Sequence, residues 1–205
     1  MNSQLHRGLI DPTLKAYMKA QLKIKHCLAI VLGILSLAHP VHAAKIGASG
    51  NYPVAAGSMG QAFLSNPGFS IDFYPDPLLD PKIDNFISVG YESLTIRADG
   101  ESSYRIIPIL IGLELPAKFS DDLKVTLGGA VGAAVTYFNT PGLASIHTTM
   151  NLAAQINPGL EWDTSKDFAI RAQVPITYLF AYKSLTYLAY TLGFQFNLGG
   201  SGDGK

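Results

Sequence analysis

From Ala44 onward the chain alternates apolar residues with polar or small ones over long runs, and a period of two describes a strand with two unlike faces. Leu188 to Asn197 shows this most plainly. Leu188, Tyr190, Leu192, Phe194 and Phe196 share one face, and Ala189, Thr191, Gly193, Gln195 and Asn197 share the other. Phe168 to Tyr178 repeats the arrangement, with Ala169, Arg171, Gln173, Pro175 and Thr177 opposite an apolar row. His147 to Trp162 and Lys124 to Thr136 read the same way, their second faces built from Gly, Ala, Thr, Asn and Gln. The signal continues upstream through Ser103 to Pro116, Phe86 to Arg97, Gly68 to Tyr74 and Lys45 to Val54, which makes eight candidate strands. Turn-forming residues separate them, at Asp76-Pro77 to Asp80-Pro81, Asp99-Gly100, Ser120-Asp121-Asp122, Asn139 to Gly142 and Asp163 to Lys166.

Eight antiparallel strands joined by hairpins predict an all-β, up-and-down barrel. Periodicity alone does not say which face points outward, because a soluble lipid-carrying barrel hides its apolar row inside and a membrane barrel turns it out. Three features favour the membrane. The apolar face is long and rich in aromatic residues, and the opposite face is small and polar rather than studded with Lys and Glu. The whole chain is 48% hydrophobic and only 15% charged. The strands are also long enough for the roughly 9–11 residues that a tilted strand needs to cross the hydrocarbon.

The N-terminal part carries a different message. Lys19, Lys23 and Lys25 precede the apolar run Cys27 to Ala38, and His39-Pro40-Val41-His42-Ala43 follows with small residues at Val41 and Ala43. That order reads as a secretory signal peptide over residues 18–43, cleaved after Ala43. Residues 1–17 precede a second methionine, Met18, and read as an extension without fold information. Residues 44–198 form the barrel domain and residues 199–205 a Gly-rich tail. Cys27 is the only cysteine, so the exported part relies on no disulfide. From Ala44 on, 10 Lys and Arg stand against 14 Asp and Glu, a balance that argues against nucleic acid as a partner. Export followed by a barrel points to the outer membrane, with its lipids as the first partners.

Two segments add a resemblance. Tyr104-Arg105-Ile106-Ile107-Pro108-Ile109-Leu110-Ile111-Gly112-Leu113 and Leu127-Gly128-Gly129-Ala130-Val131-Gly132 resemble the middle strands of the small outer-membrane barrels related to the OmpA membrane domain and OmpW. The likeness extends over most of Ala44 to Leu198 and implies a barrel, not an activity. Tyr190-Thr191-Leu192-Gly193-Phe194-Gln195-Phe196 is similar to the terminal-strand signal read by the barrel assembly machinery, with Tyr190, Phe194 and Phe196 as its aromatics. It departs from that pattern because Asn197 to Lys205 follow.

If the small polar face is inward, Glu92, Glu114, Lys124, Glu161 and Arg171 lie in or near the lumen and need partners. Reflection about a turn near Phe119 places Glu114 opposite Lys124. With the N-terminus on the periplasmic side, Ala55 to Pro67, Ala98 to Glu101, Asn139 to Ile146 and Ala181 to Thr186 face outward, and Ala55–Pro67 is the longest candidate surface for an extracellular ligand. His147, beside Ser145, Thr148 and Thr149, is the only histidine after residue 43, and it raises the alternative of an outer-membrane lipid-modifying enzyme. No third catalytic partner is evident nearby. No cofactor motif and no spaced metal-ligand cluster is present, since Asp72, Asp76, Asp80 and Asp84 are interrupted by Pro75, Pro77 and Pro81. The reading that needs no further motif is a structural or surface-interaction barrel with a plugged lumen. A soluble periplasmic lipid-binding barrel stands as a second alternative.

Overall fold

The structure is a computed structural model that describes residues 43–57, 60–77, 80–140, 147–181 and 184–198, with the side chains of Ala43, Ala44 and His147 outside that description. The signal-peptide assignment and the Gly-rich tail therefore lie outside the described residues, apart from the backbone of Ala43.

The alternating segments become strands β1 (Ala43–Ala55), β2 (Phe63–Pro75), β3 (Asp84–Ile96), β4 (Ser103–Lys118), β5 (Leu123–Asn139), β6 (His147–Asp163), β7 (Phe168–Gln173), β8 (Ile176–Phe180) and β9 (Leu185–Asn197). Each pairs antiparallel with its sequence neighbour, except that β7 and β8 are successive halves of one wall strand lying between β6 and β9. The first and last strands pair from Lys45↔Asn197 to Ala55↔Tyr187, so the sheet closes on itself as an eight-stranded barrel without a free edge.

The registers fix its shape. Partner residues lead from Ile46 through Phe73, Ile87, Ile111, Val131, Ala154 and Tyr178 to Thr186, whose carbonyl accepts from the Ala56 N–H. One circuit thus returns to β1 ten residues along from its start. With standard strand spacings, that stagger tilts eight strands by about 40° and gives a barrel radius of about 8 Å. Such a bore has room for side chains and little else.

Exposure settles which face is outside. Val131, Leu152 and Leu192 are 66%, 69% and 65% exposed, and the outward row continues through Phe69, Ile111, Leu127, Ile156, Phe180 and Phe194. Their alternates Thr126, Thr136, Asn157, Glu161, Arg171 and Gln195 are buried. Water is no solvent for such an exterior, so the barrel is a transmembrane one. From Val125 to Val135 the outward face of β5 is unbroken apolar or glycine, which at this tilt is roughly 25 Å of height, the thickness of an outer-membrane apolar band. Trp162, Phe168, Phe194 and Phe196 cluster at the turn end of that band, with Phe168 and Phe196 ring centroids 5.1 Å apart. Tyr52, Tyr91, Tyr178 and Phe180 lie toward the loop end.

Three sequence expectations change. Strand β2 starts at Phe63 rather than Gly68, because Phe63 and Leu64 already pair with Ile96 and Thr95, and one extra residue is absorbed as a bulge between Asn66 and Phe69. The outward segment predicted over Ala55–Pro67 accordingly shrinks to residues 56–62. The β4–β5 hairpin turns about Asp121 rather than Phe119, since the Phe119 and Ser120 N–H groups both donate to the Leu123 carbonyl, at 2.9 and 3.0 Å. Glu114 then faces Gly128, and Lys124 faces Lys118, so the expected Glu114–Lys124 contact does not form. Finally, Phe168 to Tyr178 is interrupted at Val174-Pro175. Pro175 and its diagonal neighbour Pro158 on β6 lack the N–H groups that the ladder needs there. Only Val174 N–H to Pro158 O, 3.0 Å, and Ala189 N–H to Pro175 O, 2.9 Å, cross the gap. The register on both sides is the same, so the break removes bonds without inserting a residue.

Candidate functional site

The interior divides into two regions that the alternation alone did not distinguish. At the turn end, β7 projects Arg171 into the bore, where it is 5% exposed. Its Nη2 pairs with Glu114 Oε1 of β4, and its Nη1 donates to Gln195 Oε1 of β9 at 3.0 Å and to the Tyr74 hydroxyl of β2. The guanidinium carbon also lies 5.1 Å from the Tyr74 ring centroid, within cation–π range. Glu114 Oε2 accepts from Gln173 Nε2 at 3.2 Å, so both of its oxygens are engaged. Glu161 Oε2 stands 3.4 Å from Arg171 Nε, an ion pair without hydrogen-bond alignment, while its Oε1 takes Lys124 Nζ at 2.8 Å. Lys124 reaches Asp163 as well, and across the bore's mouth Lys45 pairs with Asp84, each at 2.8 Å. Side chains from every strand except β8 therefore meet in one charged cluster or its rim. A chamber of about 60 Å³ opens below it, lined by Lys45, Lys124, Glu161, Asp163, Gln195 and Asn197 among others.

The structure thus brings together four of the five predicted lumen residues, Glu114, Lys124, Glu161 and Arg171, and leaves Glu92 apart. Glu92 points into the bore from β3 nearer the loop end, 3% exposed, in a region walled by Leu94, Ile106, Leu110, Leu179, Leu185 and Tyr187. Tyr187 is its polar neighbour, yet neither Glu92 Oε2 nor the Tyr187 hydroxyl meets a hydrogen-bond partner. Sequence reasoning missed this apolar layer, because Leu94, Ile106, Leu110 and Leu179 sit on the face assigned to small polar residues. It also missed Tyr74, Gln173 and Gln195 as partners of Arg171. The one available signal was that all three share the inward alternation of their strands.

Close backbone approach helps to form the site. A Cβ on Gly112 would lie 2.5 Å from Phe86 Cζ and 2.5 Å from the Gly129 carbonyl, so only glycine admits the Phe86 ring, which in turn packs 5.9 Å from Tyr74. On the lipid side, the Pro158–Val174 break coincides with an apolar groove of about 590 Å³, lined by Leu127, Pro158, Leu160, Ala172, Val174 and Tyr190 together with neighbouring backbone.

Tyr190, Phe194 and Phe196, the aromatics of the terminal-strand signal, all point outward from β9. His147 begins β6, but its side chain and Ser145 lie outside the described residues. The four aspartates Asp72, Asp76, Asp80 and Asp84 are dispersed. Asp84 is held by Lys45, and Asp80 accepts from the Lys82 N–H at 2.8 Å. Among the described residues, no group of three or more His, Cys, Asp or Glu is placed to hold a metal ion.

No family model matches the chain, and no curated protein matches it. Among solved structures it is similar to Neisserial surface protein A, at a TM-score of 0.58 and 14% identity, over 75% of this chain and 96% of that one. It is also similar to Ail, the attachment invasion locus protein of Yersinia pestis, at a TM-score of 0.47 and 13% identity over 74% and 94%. The N-terminal β-barrel domain of Pseudomonas aeruginosa OprF gives 0.47 and 12% over 75% and 98%. The first of these likenesses shows the fold, that of a small outer-membrane barrel.

Proposed function

We propose that this protein is a bacterial outer-membrane barrel with a structural or surface-interaction role and a lumen closed to solute flow. The observation that carries this reading is the Arg171 cluster, in which Glu114, Glu161, Tyr74 and Gln195 converge on one guanidinium inside a barrel whose backbone radius is about 8 Å. Above it, Leu94, Ile106, Leu110 and Leu179 close the same bore with apolar side chains. An ion would have to displace a satisfied ion pair and then cross an apolar layer, and each step is costly. What is left for contact with other molecules is the loop end, where the described residues 56–57, 60–62 and 97–102 lie between strands. Residues 56–62 are the remaining part of the surface assigned to an extracellular ligand. On the assembly side, Phe194 and Phe196 present their rings outward on β9, where the assembly machinery would engage them.

Purified protein reconstituted in planar bilayers tests the closed lumen, with Arg171→Ala beside it. Wild type is expected to pass no steady current, and the variant to show at most brief openings because the apolar layer remains. A stable wild-type conductance would replace this reading with a pore.

A further inference from the structure

The outward face of the barrel is almost free of charge. Among the described strand residues that alternate outward, one is charged, Arg105 of β4. It is exposed and stands one step along the strand's outward row beyond Ile107, where the apolar band gives way toward the loop end. Its cross-strand neighbours are Ser93 on β3 and Tyr137 on β5. Asn66 lies opposite Ser93 and donates to Thr95 Oγ1 at 2.9 Å and to Ser93 Oγ at 3.4 Å. Arg97 continues the β3 row just past the strand's end, exposed, with Nη2 3.5 Å from the Phe63 carbonyl. Elsewhere near this height the exterior mixes aromatic residues such as Tyr178 and Phe180 with the hydroxyls of Thr148 on β6 and Thr186 on β9 and, among the described residues, carries no charge. The outward guanidinium groups are therefore confined to β4 and the end of β3, with Asn66, Ser93 and Thr95 beside them.

A guanidinium at the edge of a bilayer reaches headgroup level at little cost, and there an anion can meet it. The described residues supply none. The ion pairs among the described residues involve Lys45, Lys124 and Arg171, and neither Arg97 nor Arg105 has a carboxylate within 4.0 Å. The anions found at the boundary between hydrocarbon and headgroup are lipid phosphates, whose oxygens match the forked donors of arginine and accept from hydroxyls and amides. We propose that Arg105, with Ser93, Asn66 and Arg97 around it, binds the headgroup phosphate of a lipid in the leaflet at the loop end.

Native mass spectrometry of the full chain in micelles tests this with phosphatidylglycerol, a phosphate-free galactolipid of the same chain length and inorganic phosphate as competitor. Wild type is expected to retain phosphatidylglycerol in preference to the galactolipid. Arg105→Gln should weaken that retention about fivefold, the worth of one interfacial cation. Arg105→Lys should fall between, and Lys82→Gln in a turn at the other end should change nothing. Heat-modifiable gel mobility verifies that each variant is folded, and Arg97→Gln gives a second, milder loss if Arg105→Gln does not fold. Equal retention by wild type, Arg105→Gln and Arg97→Gln would overturn the site, as would equal retention of the galactolipid. Displacement by inorganic phosphate at concentrations comparable to the lipid would make it a free-anion site and overturn the lipid assignment.

Discussion

Arg171 is the residue that ties together Tyr74, Glu114, Glu161 and Gln195 from four other strands. Its carboxylate partners are themselves buried, so its removal strands charge rather than merely losing an attraction. Arg171→Ala is therefore expected to destabilise the barrel by about 3–5 kcal/mol, read by urea unfolding in lipid vesicles. The joint change Arg171→Met with Glu114→Gln should cost clearly less than the single one, because it leaves fewer unmatched charges behind. At the loop end a different carboxylate acts in the open. Asp99 accepts from the Ser102 hydroxyl, from the Ser102 N–H at 3.0 Å and from the Glu101 N–H at 3.1 Å. These bonds, the Ser102 hydroxyl foremost, hold its pKa below the ordinary 3.8. A folded value below the unfolded one stabilises the loop above the ordinary carboxylate range, and that contribution fades as pH falls through the lowered value. Carboxyl NMR titration should show Asp99 moving back toward 3.8 in Ser102→Ala. The same turn depends on Gly100, whose φ of 68° suits a residue without a Cβ.

At the scale of the strand, β7 and β8 show how a wall can lose bonds and keep its register. Each proline removes one of the two bonds its residue pair would exchange, leaving the Val174 and Ala189 carbonyls without a ladder donor. Pro175→Ala restores the N–H opposite Ala189, and should stabilise the barrel by about 0.5–1.5 kcal/mol while slowing amide exchange around Ala189. Faster exchange or lower stability would mean that the proline ring itself packs the gap. The same strands show how far the sequence could be read. Alternation placed Glu161, Arg171 and Gln195 on one face correctly, because a two-sided wall forbids slippage. It could not place Glu114 against Arg171, since those residues lie on strands that are not adjacent and meet only across the bore. Nor could it find the β4–β5 turn to within a residue, because Phe119 to Asp122 offers several centres and hydrogen bonds to the Leu123 carbonyl choose among them. The inward leucines of the upper layer escaped for a related reason. In β4, Ile106 and Leu110 make both faces apolar, and a two-sided apolar stretch carries no period; in β3, Leu94 points inward between outward Ser93 and Thr95, the reverse of the expected faces.

The whole molecule separates its two solvents by geometry. The outward row faces lipid at every strand, the inward row forms a charged cluster, an apolar layer and neutral contacts such as Thr136–Thr149 and Gln155–Thr177, and the stagger of ten sets a bore that these side chains can fill. The aromatic residues at both ends of the apolar band mark where it meets headgroups, and Arg105 interrupts it on one side only. The closing pair of strands has a further consequence. Lys45 and Asn197 are opposite one another at the turn end, so the two ends of the barrel segment are already neighbours. A short linker between them, with the chain reopened within residues 97–102, would leave every wall contact in place. Such a circular permutant is expected to reach the same heat-modifiable folded state, whereas failure to do so would show that strand order matters during insertion. For the finished barrel, which strand comes first is a property of the message and not of the wall.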